Sequence, residues 1–125
     1  MEELKKLVRP IENFPKPGIT FRDITPLLRN GLAFQKVIEL FSERYRGKSV
    51  SAVAGIESRG FIFAAALALR LGCGFVPIRK RGKLPGRTLQ QSYDLEYGQD
   101  TIEIHQDALS KGDSVVLVDD VVATG

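Results

Sequence analysis

Two adjacent carboxylates, Asp119 and Asp120, follow directly on four apolar residues, Val115 to Val118. An uninterrupted, mostly β-branched run of this kind suits a central parallel strand buried on both faces. In open α/β sheets ligands bind just beyond the carboxyl ends of such strands. Paired acids there are costly to leave without a partner, so they call for hydroxyls, a cation or solvent. The residues that follow, Ala123, Thr124 and Gly125, are small, and a tight turn of small residues lets backbone N–H groups converge on an anion. From spacing alone, a solvated Asp-Asp ahead of a plain turn remains an equal reading.

A second chemical feature is positive. Arg79, Lys80, Arg81, Lys83 and Arg87 place five cations in nine residues with no acid among them. The formal net charge is +3, and without these five it would be slightly negative. All the excess charge is therefore local. A nucleic-acid surface spreads its charge over a face or along a helix, whereas a compact, highly anionic small ligand needs a cluster. A solvated loop is the plain alternative. Ahead of both features lies GIESRGF (55–61), a glycine-bearing turn that opens a helix. It lacks the GxGxxG spacing of dinucleotide folds, and Ser58 reads there as a helix cap.

The elements that must position these groups follow from periodicity. Residues 2–8 read as a short helix. Residues 13–26, with three prolines and a glycine, read mostly as loop. Asn30 caps a helix to about Arg46, carried by Leu32, Val37, Ile38, Leu40, Phe41 and Tyr45 and ended by Gly47. Val50 to Gly55 reads as a buried strand, Arg59 to Leu71 as a helix closed by Gly72, and Phe75 to Arg79 as a second strand. Residues 80–92 read as a mobile loop, followed by β segments at 93–97 and 101–105. The alternation predicts an α/β fold in one domain, since 125 residues suffice for one and not two.

Several function classes drop out. No window approaches the eighteen or so apolar residues that span a bilayer, and the start carries no apolar signal core. A single cysteine, Cys73, forms no internal disulfide and fits a reducing, cytoplasmic setting. His105 is the only histidine and has no cysteine partner for a metal. Gly47-Lys48-Ser49 ends like a phosphate-binding P-loop, but Ser42 stands where that motif needs glycine, and the triplet leads from helix to strand.

VVLVDDVVATG (115–125) resembles the 5-phosphoribosyl 1-pyrophosphate (PRPP) motif of type I phosphoribosyltransferases. Three further segments, FPKPGITFRDITPLL (14–28), IRKRGKLPG (78–86) and SYDLEYG (92–98), resemble the adenine phosphoribosyltransferase family in the expected order. The resemblance implies a parallel-sheet type I phosphoribosyltransferase core spanning 1–125. Within it, residues 1–30 form a small N-terminal hood. Asp119 and Asp120 would hold the ribose hydroxyls, and Ala123, Thr124 and Gly125 the 5-phosphate. Glu57, Ser58 and Arg59 would line the pyrophosphate loop, with a cis peptide at Glu57–Ser58, and Arg79, Lys80 and Lys83 would face the same group. Phe21 would stack on the purine, while backbone groups of Thr20 and Arg22 read its edge. Glu96 and Tyr97 align with a functional pair, with Glu96 and Arg59 as catalytic residues.

The reaction so implied joins adenine to PRPP, giving AMP and pyrophosphate, in a cytoplasmic homodimer with no nucleic-acid or membrane partner. Mg²⁺ would be held by substrate oxygens and water, with no direct protein ligand. The rival readings are a phosphoribosyltransferase for another purine, a PRPP-binding regulator of the same fold, or an inactive remnant. The family pattern continues past Gly125 with a glycine, a threonine and a helix. The resemblance therefore implies that the C-terminal part is missing and that the 125 residues alone are unstable or inactive.

Overall fold

The computed structural model describes residues 1–95 and 97–121, in two compact units, residues 1–44 and 45–125. The first begins with α1 (Glu2–Lys5) and a two-stranded antiparallel hairpin, β1 (Arg9–Glu12) and β2 (Thr20–Asp23). Here the expected loop over 13–26 is corrected. The prolines occupy the connection and the first helical turn after it, and Thr20–Asp23 are free to pair with Arg9–Glu12. Arg9 lies opposite Asp23, and its guanidinium binds that carboxylate. Asp23 also accepts from the backbone N–H and hydroxyl of Thr25 at 2.9 and 2.7 Å. Hydrogen bonds from Thr25 and Arg9 lower its pKa to about 2. Two helices follow, α2 (Thr25–Arg29) and α3 (Gly31–Glu43). The Asn30 side chain accepts from Ala33 N–H, so the expected cap is present, but the helix closes at Glu43, three residues early.

The second unit holds β3 (Ala52–Ile56), α4 (Arg59–Leu71), β4 (Gly74–Lys80), β5 (Thr88–Asp94), β6 (Gln99–His105) and β7 (Val115–Val118). They form a five-stranded sheet in the order β5-β6-β4-β3-β7. Strands β4, β3 and β7 are parallel, and β5 and β6 add an antiparallel wing. Helix α4 spans its expected residues and ends on Gly72, whose left-handed backbone (φ 77°) suits glycine. Ala52, Ala54 and Val76 form a core on one sheet face with Ile78, Ile104, Ala108 and Leu109. The other face receives α4 through buried Phe63, Ala64 and Leu67.

One expectation about this sheet is overturned. Residues 80–92 are not one loop. Lys80 ends β4, and Thr88 already begins β5, whose polar sequence TLQQSYD is held by full pairing with β6. Among the described residues strand β7 is the outer neighbour of β3, and Leu117 on it is 61% exposed. Its apolar run is therefore half-covered among the described residues.

The approach of α4 to the sheet depends on Gly55. A β-carbon there would lie 2.6 Å from Ala64 Cβ and 3.0 Å from the Gly60 carbonyl. Gly55→Ala must push the helix off the strand. Overpacking of this kind costs roughly 1–3 kcal/mol, which urea unfolding of the variant against the parent will show as a lowered midpoint with unchanged slope.

Candidate functional site

Parallel pairing brings the carboxyl ends of β4, β3 and β7 to one edge of the sheet. Ile56 is level with Ile78, and Gly55 with Val118. The residues at or just past those ends are Glu57, Arg79 to Lys83, and Asp119 with Asp120. Chain topology alone thus gathers the acids and cations that are far apart in sequence.

Glu57 organises one side. The Glu57–Ser58 peptide is cis, as the resemblance implied. The carboxylate of Glu57, only 10% exposed, accepts from the Lys80 backbone N–H and from Lys83 Nζ, both at 2.6 Å. Arg79 Nε stands 3.4 Å from the same carboxylate. Burial pushes the Glu57 carboxyl up, but the hydrogen bonds and charges of Lys83, Lys80 and Arg79 outweigh it and hold it below its ordinary value. Lys80 itself is held elsewhere. Its ammonium donates to Asp100 on β6 at 2.6 Å, which raises its pKa.

The other side is built on α4 and β7. Arg59 opens the helix, and its Nε lies 2.8 Å from Asp120 Oδ2. Gly60, next along, has no room for a side chain. A β-carbon would come within 3.0 Å of Asp119 Oδ1 and the Val118 carbonyl. The helix start is therefore pressed against the acid pair. Asp119 Oδ1 accepts from Asp120 N–H at 2.8 Å. Burial raises the Asp119 carboxyl above its ordinary value of 3.8, and the neighbouring Asp120 charge adds to this, against the pull of Arg59.

Among the described residues, two buried side-chain polar atoms lack an aligned hydrogen bond, Arg79 Nε and Asp120 Oδ2. One is cationic, one anionic, and they lie on the two sides of this edge. Buried polar atoms are nearly always satisfied, so such exceptions mark places built for something else. No group of three or more His, Cys, Asp or Glu among the described residues is arranged to hold a metal.

The remaining expected residues divide. Ser58 precedes α4 but its side chain makes no cap bond, so the cap reading is corrected; the hydroxyl is exposed. Tyr97 is 89% exposed. Glu96, Ala123, Thr124 and Gly125 lie outside the described residues. Thr20, Phe21 and Arg22 belong to the first unit. There Phe21 meets Phe14 edge-on at 5.2 Å, Thr20 donates to Glu12 at 2.8 Å, and Arg22 is exposed. Sequence reasoning passed over Asp100, which holds Lys80, and Glu103, which the alternation of 102–104 would have turned outward.

Residues 23–125 match the family described as phosphoribosyl transferase domain. The adenine phosphoribosyltransferase of Acidobacterium capsulatum is 58% identical over 124 residues, covering 99% of this chain and 68% of that protein. The Geotalea daltonii enzyme of the same name is 54% identical across the whole chain, which spans 73% of it. Among solved structures, adenine phosphoribosyltransferase from Thermoanaerobacter pseudethanolicus matches with a TM-score of 0.94 and 52% identity, over 99% of this chain and 72% of that one. The Saccharomyces cerevisiae enzyme, complexed with an imino-altritol bisphosphate and adenine, matches with a TM-score of 0.94 at 45% identity, over 99% and 73%.

The raised Asp119 pKa has a sign. A carboxyl that binds its proton more tightly when folded adds stability below 3.8 and loses it as pH rises through the folded value. Ionised Asp119 therefore burdens the fold at neutral pH. Asp119→Asn should melt higher than the parent at pH 7, and the gap should close as pH falls below about 4. Thermal melts across that range check it.

Proposed function

The chain belongs to the adenine phosphoribosyltransferase family, and from that membership we propose that Asp119 and Asp120 grip the ribose of PRPP while Arg59, Arg79, Lys80 and Lys83 take its diphosphate. The enzyme transfers the 5-phosphoribosyl group of PRPP to adenine, forming AMP and pyrophosphate. The observation that carries the residue assignment is the pairing of opposite charge at one sheet edge, with Arg59 against Asp120 and Arg79 against Glu57.

A purine ring nitrogen displaces pyrophosphate from the anomeric carbon. The sugar passes through an oxocarbenium-like state while negative charge grows on the leaving group. Preorganised opposite charge is usually the largest catalytic contribution in such a step. In this reading Arg59 and Arg79 meet the departing diphosphate. Asp119 and Asp120 accept from the ribose hydroxyls, acceptor-only groups matched to a diol. The buried acid pair exchanges a charged neighbour for two donors, which relieves the desolvation that raises Asp119.

Magnesium, when bound together with the diphosphate, would supply positive charge against the charge that develops there. The carboxylates near that edge, Asp119, Asp120 and Glu57, are oxygen donors of the kind that would meet the ion's water shell. Glu96 is the proposed proton-exchange partner of the purine, with Tyr97 beside it, and Ala123, Thr124 and Gly125 the proposed cradle of the 5-phosphate. Glu57 and Ser58 shape the turn. In the first unit, Phe21 is the proposed stacking surface for adenine, and the backbone at Thr20 and Arg22 its reader.

The proposed setting is the cytoplasm, where a charged substrate such as PRPP is retained; no helix among the described residues is long and apolar enough to cross a membrane. The proposed assembly is a homodimer. Leu69 on the outer side of α4 is 84% exposed and Ile62 is exposed beside it, apolar surface that a second subunit would cover. Sedimentation velocity tests this: a mass of one chain at micromolar concentration contradicts it.

Two measurements test the assignment. AMP formation from PRPP should be supported by adenine. Hypoxanthine, guanine and xanthine should fall short by roughly 10⁴-fold in kcat/KM, since a site that hydrogen-bonds one base leaves groups unpaired against another. Arg59→Ala should lower kcat about 10²–10³-fold, the usual loss for one donor to a developing charge. An Arg59→Ala enzyme with parental kcat would remove the arginine from the mechanism.

A further inference from the structure

Lys83 reaches Glu57 from a loop, RGKLPGR (81–87), between β4 and β5. What holds that loop in place is a third carboxylate. Glu103 lies in β6, level with Arg79 of β4 on one side and Gln90 of β5 on the other. It is 5% exposed, although it lies between Ile102 and Ile104 in a strand whose pattern would turn it to solvent. Its Oε1 accepts from the Gly82 backbone N–H at 2.5 Å. Its Oε2 accepts from the Thr88 hydroxyl and from Gln90 Nε2, the latter at 3.1 Å. Gly82 is at the start of the loop and Thr88 just past its end. One carboxylate therefore fastens both stems.

We infer that Glu103 is a positioning residue for PRPP binding: it pins the two stems of the 81–87 loop so that the Lys83 ammonium is delivered to the diphosphate edge. This rests on the proposal that Lys83 contacts the diphosphate. The chemistry favours a carboxylate over any isostere. Glu103 faces three donors and the nearby positive charge of Arg81, and hydrogen bonds from Thr88, Gly82 and Gln90 hold its pKa down, so it is an acceptor on both oxygens. A glutamine in its place offers one acceptor and turns an N–H₂ toward donors, which leaves buried donors unpaired. Other loop bonds, Arg81 N–H to the Thr101 carbonyl at 3.1 Å, Gln106 N–H to the Arg87 carbonyl at 3.0 Å and His105 Nε2 to the Pro85 carbonyl at 3.0 Å, tie it to β6 and its exit. None of them reaches across from stem to stem.

The test is a double-mutant cycle on PRPP affinity, read by isothermal titration with Mg²⁺-PRPP, alongside the thermal midpoint of each protein. Glu103→Gln should weaken PRPP roughly tenfold and leave adenine affinity unchanged. Lys83→Ala should weaken PRPP comparably. The double variant should be no weaker than Lys83→Ala alone, because the latch acts only through that lysine. Should Glu103→Gln fail to fold, Thr88→Val removes one of the three donors, keeps the carboxylate, and should show the same pattern at smaller amplitude. Unchanged PRPP affinity in the Glu103 variant, beside a weakened Lys83→Ala, overturns the latch. Full additivity of the two losses, or equal loss of PRPP and adenine affinity with a lowered midpoint, overturns it too, since both describe a merely structural role. No PRPP binding by the parent, or an unchanged Lys83→Ala, sinks the diphosphate assignment itself and the latch with it.

Discussion

A carboxylate that is nine-tenths buried stays ionised only if donors surround it. Glu57 takes its donors from the strand and loop that follow it in sequence, Lys80 N–H and Lys83 Nζ, with the Arg79 guanidinium paired to it at 3.4 Å. That requirement draws a run of cations, which would otherwise repel one another into solvent, to the carboxyl end of β3. Glu103 repeats the device two strands away, on Gly82, Thr88 and Gln90. The positive charge of the site is therefore organised by buried acids. In the proposed reading a diphosphate entering there would meet cations whose positions are already fixed, with less entropy lost in gathering them.

The opposing side depends on closeness. Gly55 lets α4 lie against β3, and Gly60 lets the helix start touch the end of β7. Arg59 then faces Asp120 at 2.8 Å while Asp119 stays half-buried beside it. Like charge and burial make this acid pair uncomfortable, which raises the Asp119 pKa. Function and stability pull in opposite directions at such a place. The fold tolerates the strain because two strands and a helix converge on it.

The parts of this structure that the sequence made legible are those whose cause is local. Helix α4 was readable to the residue, because Ala and Leu recur at helical spacing between a polar start and Gly72. The acid pair and the cation cluster stood out by type and spacing, and the resemblance gave them their expected roles. What escaped was set by distant partners. Thr88 to Gln91 carry no strand pattern and become strand because β6 pairs with them. Glu103 sits in an alternation that predicts exposure, and its burial is explained only by Gly82, Thr88 and Gln90 arriving from another strand and loop. The hairpin of β1 and β2 was hidden by prolines that lie between and after the paired residues.

The central claim is that one sheet edge holds a sugar diol with acids and a diphosphate with cations. A crystal structure of the protein with an unreactive PRPP analogue and Mg²⁺ tests it most directly. The account predicts carboxylate oxygens of Asp119 and Asp120 within about 3 Å of the ribose hydroxyls, with Arg59 and Lys83 turned to the diphosphate. A sugar bound away from that acid pair, with both cations still on Asp120 and Glu57, would contradict it.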